Sequence, residues 1–175
     1  MVDDIGIRPS TPNDFSDLVQ LYPAAFPCED LLPLVMDLLQ GENSVISRVA
    51  LNGSDLVGHI AFTPCHVGED SVKTALLAPL AVEPAWQRKG VGSALMRAGL
   101  QELKDDGFAG VFVLGDPTYY VRFGFRPEYD VKPPYALPAE WREAWQCQRL
   151  GDAGAAPRGE LSLPDVWLRP ELWMP

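Results

Sequence analysis

The sequence predicts an α/β (α+β) fold built on a mixed sheet, and three patterns along its 175 residues predict it. β-rich runs at residues 45–51 and 56–63 flank Asn52-Gly53-Ser54-Asp55, a tight-turn sequence, and so form an antiparallel hairpin. Two nearly unbroken apolar runs, residues 72–82 and 108–114, read as strands covered on both faces. Between them, residues 93–106 place Ala94, Leu95, Ala98 and Leu103 at helical spacing, with Met96 and Leu100 beside that stripe. A strand–helix–strand unit of this kind implies a parallel pair joined by a right-handed crossover.

The remaining elements follow in chain order. Residues 5–8 form a short strand ended by Pro9. Thr11-Pro12 is a helix-start signal, a capping hydroxyl followed by proline at the first helical position. Phe15, Leu18, Val19 and Tyr22 then carry a helix to about Phe26. A second helix spans residues 30–40, with Leu31, Leu34, Val35, Leu38 and Leu39 on its apolar side and Gly41 as its C-cap. Residues 151–159 (GDAGAAPRG) read as a flexible loop between two late strands. The length suits one domain, residues 1–175, with its motif core at 72–126.

Composition narrows the function. With 24 Asp+Glu against 14 Lys+Arg, the net charge of -10 argues against nucleic-acid and anionic-membrane partners, which reward clustered cations. A small anionic ligand responds to the local field and is not excluded. Cys28, Cys65 and Cys147 are sparse and unpaired in sequence, which fits a reducing cytoplasm and no disulfide framework. Only His59 and His66 accompany them, so no metal site is expected. The first residues carry no basic and apolar leader pattern, and no apolar run reaches the roughly 20 residues of a membrane span.

Three features converge between Leu77 and Phe125. Pro79 interrupts a central strand, where it cannot donate to the ladder and so belongs at a bulge. A bulge would free the backbone groups of Leu80, Ala81 and Val82 for an extended ligand; a strand that simply ends at Pro79 would not. Gln87-Arg88-Lys89-Gly90-Val91-Gly92-Ser93 places two glycines and two cations at a helix start, the chemistry of a pyrophosphate cradle. It departs from the phosphate loop of nucleotide hydrolases, because its lysine precedes the glycines, and from the dinucleotide fingerprint, because Leu95 replaces the third glycine. The third feature is Asp116-Pro117-Thr118-Tyr119-Tyr120, followed closely by Phe123-Gly124-Phe125.

Together, in this order and spacing, these features resemble the GNAT acetyltransferase superfamily, and within it a subgroup of predicted N-acetyltransferases with Gly-Asp-Pro-x-Tyr-Tyr. The resemblance implies an acyl-CoA N-acyltransferase fold with a bulged central strand and a V-shaped cofactor cleft. It implies acetyl-CoA as cosubstrate and no metal. The pantetheine arm would pair with the backbone around Leu80, Ala81 and Val82, and the pyrophosphate would lie on Gln87, Arg88, Lys89, Gly90, Val91, Gly92 and Ser93. Tyr120 holds the position of the family's general acid, which protonates the departing thiolate, with Tyr119 a packing residue. Glu83 is the first candidate for the base that neutralises the acceptor amine. His59 is the second, through a side chain facing away from Ile60 and Phe62 toward the cleft. Asp116 stands where many family members carry Asn, as a polar contact to the pantetheine.

The resemblance leaves the acceptor open, as a small-molecule or peptide amine. Residues 1–43 carry Asp3, Asp4, Asp14, Asp17, Glu29, Asp30, Asp37 and Glu42 against only Arg8, which is either an acidic wall steering a cationic amine or a solvated surface. A monomer or homodimer acting by direct transfer is the expected enzyme. A non-catalytic acyl-CoA sensor is the alternative reading.

Overall fold

The computed structural model describes residues 4–69, 72–151 and 157–174, so the middle of the expected 151–159 loop lies outside the described residues. The elements are β1 (Ile5–Pro9), α1 (Phe15–Ala25), α2 (Leu32–Gln40), β2 (Ile46–Asn52), β3 (Asp55–Val67), β4 (Val72–Val82), α3 (Val91–Asp105) and β5 (Gly110–Leu114). The short α4 (Pro117–Tyr120) follows, then β6 (Arg126–Pro127), β7 (Val131–Lys132), β8 (Trp145–Arg149) and β9 (Gly159–Ser162). The chain divides into two compact units, one of Met1–Phe62 and Ala78–Gln101, the other of Thr63–Leu77 and Glu102–Pro175.

In the first unit, β1 pairs antiparallel with β2 and β2 with β3. The hairpin forms where the Asn-Gly sequence predicts it, with Asn52 opposite Asp55. Helix 1 differs in detail from its expected form: Thr11 precedes a 3-10 turn, Pro12–Asp14, before the α-helix begins at Phe15. The Asp14 carboxylate holds that turn, accepting from the Thr11 amide at 2.7 Å. Helix 2 starts at Leu32, later than expected, and Gly41 ends it with φ -82, outside the left-handed region. Glycine is needed there for closeness, since a Cβ would stand 2.7 Å from the Asp37 carbonyl oxygen. The apolar faces of α1 and α2 meet β4 in one buried cluster of Leu18, Leu21, Tyr22, Val35 and Ala81.

In the second unit, β4 and β5 pair in parallel, Thr74 opposite Gly110 through Leu76 opposite Phe112, as the strand–helix–strand pattern requires. β5 pairs antiparallel with β8, and β8 with β6. The end of β3 pairs with β9, and β9 with β7, so the strand pairing of the fold is mixed. The ladder between β4 and β5 ends at Leu76, while β4 itself runs on through a buried Pro79 to Val82. Proline does not stop the strand. Packing here rests on indole rings: Trp145 stacks on Phe112 at 5.4 Å and meets Trp173 edge-on at 5.9 Å. Each buried indole N–H finds an acceptor, Trp145 at the Val131 carbonyl, Trp167 at Thr63 Oγ1 and Trp173 at the Trp167 carbonyl.

Helix α3 and strand β3 meet in the first unit without room for a side chain at Gly99. A Cβ there would stand 2.3 Å from Phe62 Cε2, and Phe62 is fully buried. Gly99→Ala is expected to lower stability by about 1–3 kcal/mol through overpacking, despite alanine's better helix propensity. Denaturant melts would measure this, and Phe62→Leu in the same background should recover part of the loss.

Candidate functional site

The first unit carries the segment expected to hold the cofactor. At the end of β4, Ala81 is buried and Leu80 and Val82 are half-buried, so their side chains alternate as a strand requires. Glu83 leaves the strand with its amide donating to the Val57 carbonyl at 2.9 Å, and its side chain is half-buried. The Gln87 side-chain amide donates to the Val82 carbonyl at 3.0 Å, tying the loop back onto the strand end. Arg88 and Gly90 both adopt left-handed backbone, with φ 61 and 89. For arginine that conformation costs on the order of 1–2 kcal/mol, so the loop's shape outweighs its local preference.

Helix α3 starts at Val91, two residues before the expected start, which puts Gly92 and Ser93 in its first turn. Amides of a first turn have no carbonyl one turn behind them and favour an anion. Arg88 and Lys89 are exposed at the same place, with the Lys89 ammonium 5.3 Å over the Trp86 ring. Together these groups form a donor set that suits an anion.

The second unit carries the tyrosine segment, and its motif has a mechanical meaning. Asp116 caps α4: its Oδ1 accepts from the Thr118 amide at 2.9 Å and from the Thr118 hydroxyl at 2.8 Å. Pro117 occupies the first turn, where no amide is needed. The Tyr120 ring lies over Gly115, where a Cβ would come within 2.6 Å of its Cε2. Gly124, at φ 91, reverses the chain so that Phe125 returns into the core and meets Tyr120 edge-on at 5.6 Å. Burial, then Tyr119 and Asp116, raises the Tyr120 pKa well above that of a free tyrosine. The hydroxyl is therefore protonated throughout the neutral range and can donate. Tyr119 packs against Phe123 and lies 4.7 Å under the Arg122 guanidinium, the aromatic role expected of it.

His59 does not face an open cleft. It has 0% exposure in β3, whose middle residues are buried on both faces. Its Nδ1 pairs with the Tyr22 hydroxyl at 2.6 Å and its Nε2 with Ser47 Oγ at 2.7 Å. Alternation along the strand separated His59 from Ile60 and Phe62 correctly, but a strand covered on both sides offers no solvent face to point at. Tyr22 and Ser47 were not among the expected site residues. The available signal was a lone histidine in an apolar strand, which requires hydrogen-bonding partners from other elements.

The acidic first quarter of the chain also changes on folding. Asp14 is buried and forms a bidentate pair with Arg8, with both bonds at 2.8 Å, so neither contributes a free charge. Hydrogen bonding to Arg8 holds the Asp14 carboxyl below its usual pKa. Glu29 and Asp30 instead line a cavity of about 360 Å³ with Tyr22, Phe26, Leu31 and Leu32, among lining residues that include no Lys or Arg. Among the described residues, no cluster of His, Cys, Asp and Glu could hold a metal ion, and no helix is long and apolar enough to cross a membrane.

Burial drives the His59 pKa down from 6.5 to about 4. An unfolded chain takes up a proton at this residue below about pH 6.5, whereas the folded chain does so only near 4. Stability present at neutral pH is thus lost as pH falls across that window, by about 3 kcal/mol. Chemical denaturation between pH 7 and 4 should show this slope, and His59→Gln should flatten it while lowering stability at pH 7.

Comparison with known proteins places the fold in a family. The family described as Acetyltransferase (GNAT) family matches residues 15–125. The uncharacterised N-acetyltransferase YjhQ of Escherichia coli K12 is 39% identical over 145 residues, covering 79% of this chain and 80% of that protein. YhbS, another uncharacterised N-acetyltransferase of that strain, is 31% identical over 150 residues, covering 83% of this chain and 87% of its own. The crystal structure of E. coli YhbS in complex with CoA superposes with a TM-score of 0.85 at 28% identity, covering 95% of this chain and 93% of that one. A GNAT family acetyltransferase from Brucella melitensis, solved with acetyl-CoA, gives 0.74 at 30% identity and covers 93% of this chain and 97% of its own.

Proposed function

The chain belongs to the acetyltransferase (GNAT) family and is an N-acetyltransferase; from this premise we propose that it transfers the acetyl group of acetyl-CoA directly to a primary amine in a ternary complex. The observation that carries the reading is the turn at Arg88 and Gly90 running into the first turn of α3, a donor set that fits a diphosphate. CoA and acetyl-CoA bound to the two related crystal structures support the same cosubstrate. Acetyl-CoA supplies the activated acyl group. Leu80, Ala81 and Val82 would engage its pantetheine arm, and residues 87–93 its phosphates.

Tyr120 is the proton donor to the departing thiolate. Its raised pKa keeps the hydroxyl protonated at neutral pH but makes it a weak acid toward a thiolate, so donation depends on close geometry or on a coupled proton. Asp116 acts here by holding α4, and so the backbone around Tyr120, through its cap on Thr118. The Gly-Asp-Pro-x-Tyr-Tyr sequence marks the chain's subgroup on this reading, because each of its residues has a task in presenting that tyrosine. Glu83, half-buried beside the end of β4, is the carboxylate nearest in sequence to Val82 and the candidate base. The cavity holding Glu29 and Asp30 among apolar side chains favours an acceptor that is cationic, with an apolar body. A protein of this composition working on cytoplasmic acetyl-CoA needs no membrane or nucleic-acid partner.

Millimolar acetyl-CoA is expected to raise the melting temperature of the wild-type protein, and Gly92→Arg, which fills the first turn of α3, to abolish the shift. Thiol release across an amine panel should single out cationic acceptors. Tyr120→Phe should reduce kcat on the order of 100-fold while the thermal shift persists. Binding without thiol release from any amine would identify a sensor in place of an enzyme.

A further inference from the structure

We propose that Tyr22, His59, Ser47 and Ser10 form a proton relay that carries the acceptor's ammonium proton from the Ala81 end of β4 out to solvent. The inference rests on the acetyl-transfer reading and makes this relay, in place of Glu83, the route by which the amine becomes neutral. The four side chains come from α1, β3, β2 and the segment after β1, and they are linked without a gap. Tyr22 Oη lies 2.6 Å from His59 Nδ1, Ser47 Oγ lies 2.7 Å from His59 Nε2, and Ser10 Oγ lies 2.7 Å from Ser47 Oγ. The inner end belongs to the buried cluster that contains Ala81, between Leu80 and Val82. The outer end, Ser10 with Ser47, lines a separate cavity of about 390 Å³ alongside Arg48, Phe15 and Leu38.

A histidine buried only for packing needs two partners, one for each ring nitrogen. This chain continues beyond them, to a third hydroxyl at the surface. Each member can both accept and donate a proton. A proton accepted at Tyr22 Oη, directly or through one water, displaces the hydroxyl proton onto His59 Nδ1. The Nε2 proton passes to Ser47; the Ser10 hydroxyl, which donates to Ser47 in the structure, turns to accept the Ser47 proton and releases its own to water. One proton enters and one leaves, and no heavy-atom bond changes. The chain is left with reversed polarity, which rotation of its hydroxyls and imidazole restores between turnovers.

The charged group acting on the ring is Asp14, whose carboxylate favours the imidazolium but is itself neutralised by Arg8. The imidazole is therefore neutral at physiological pH, the state in which a ring holds one proton and one free lone pair. Burial likewise keeps the Tyr22 hydroxyl protonated.

Two measurements test the relay, one of which does not depend on catalysis. Solvent exchange of the His59 ring N–H, followed by NMR, should slow at least tenfold in Ser47→Ala. It should slow also in Ser10→Ala, which alters a half-exposed residue and spares the core. Ser47→Thr, which keeps the hydroxyl, should restore it. Unchanged exchange in both alanine variants overturns the relay even if the enzyme is active. In turnover with a cationic amine, Tyr22→Phe and Ser47→Ala should lower kcat about tenfold at pH 7 with the KM for acetyl-CoA unchanged. That deficit should shrink as pH approaches the pKa of the amine; a deficit constant with pH marks the residues as structural and overturns the relay. Absence of thiol release by the wild-type protein with every amine would instead sink the acetyl-transfer reading, and the exchange measurement would still decide the relay.

Discussion

An imidazole with no exposed surface has to find partners for both ring nitrogens, and in the first unit that requirement ties three elements together. Tyr22 reaches it from α1 and Ser47 from β2, at 2.6 and 2.7 Å, while the ring itself stands on β3. Leaving either nitrogen bare would cost about 1–3 kcal/mol, so the pairing of hairpin and helix is specified as much by these bonds as by apolar contact. The same rule governs the second unit through different donors, where the indole N–H groups of Trp145, Trp167 and Trp173 each end on an oxygen. Buried polar atoms orient the cores; apolar area supplies the drive.

Function is built on the ends of elements. The turn after β4 accepts a left-handed arginine, an unfavourable choice that keeps two successive residues, Arg88 and Lys89, charged in front of a helix start. In the second unit, Asp116, Pro117 and Gly115 act on one outcome, the placement of the Tyr120 ring between Gly115 and Phe125. A net charge of -10 does not exclude a locally positive field, because the field at the loop before α3 is set by its own amides and by Arg88 and Lys89.

Much of this was legible along the chain. Periodicity located β4 to the residue and the Asn-Gly turn set the hairpin register, because both are local properties of backbone and side-chain pattern. Among the boundaries that moved are two helix starts: Leu32 of α2 follows Leu31, which makes no side-chain cap, and Val91 of α3 follows Gly90, which has no side chain to cap with. Gly92 illustrates the consequence: one shift of two residues turns it from a loop glycine into part of the helix terminus.

Residue order alone established the family, the mixed sheet, the cationic loop before α3 and the tyrosine segment, since each depends on neighbours a few positions apart. What required the folded chain were the roles of residues whose partners lie far away in sequence. His59 read as a cleft-lining base because alternation assigns a face to a side chain without saying what covers that face. Folding brings Tyr22 and Ser47 onto it, removes its access to solvent and lowers its pKa to about 4. Asp14 read as part of an acidic surface and became the buried partner of Arg8. Spacing reports what a residue can do locally; burial and distant partners decide which of those capacities survives.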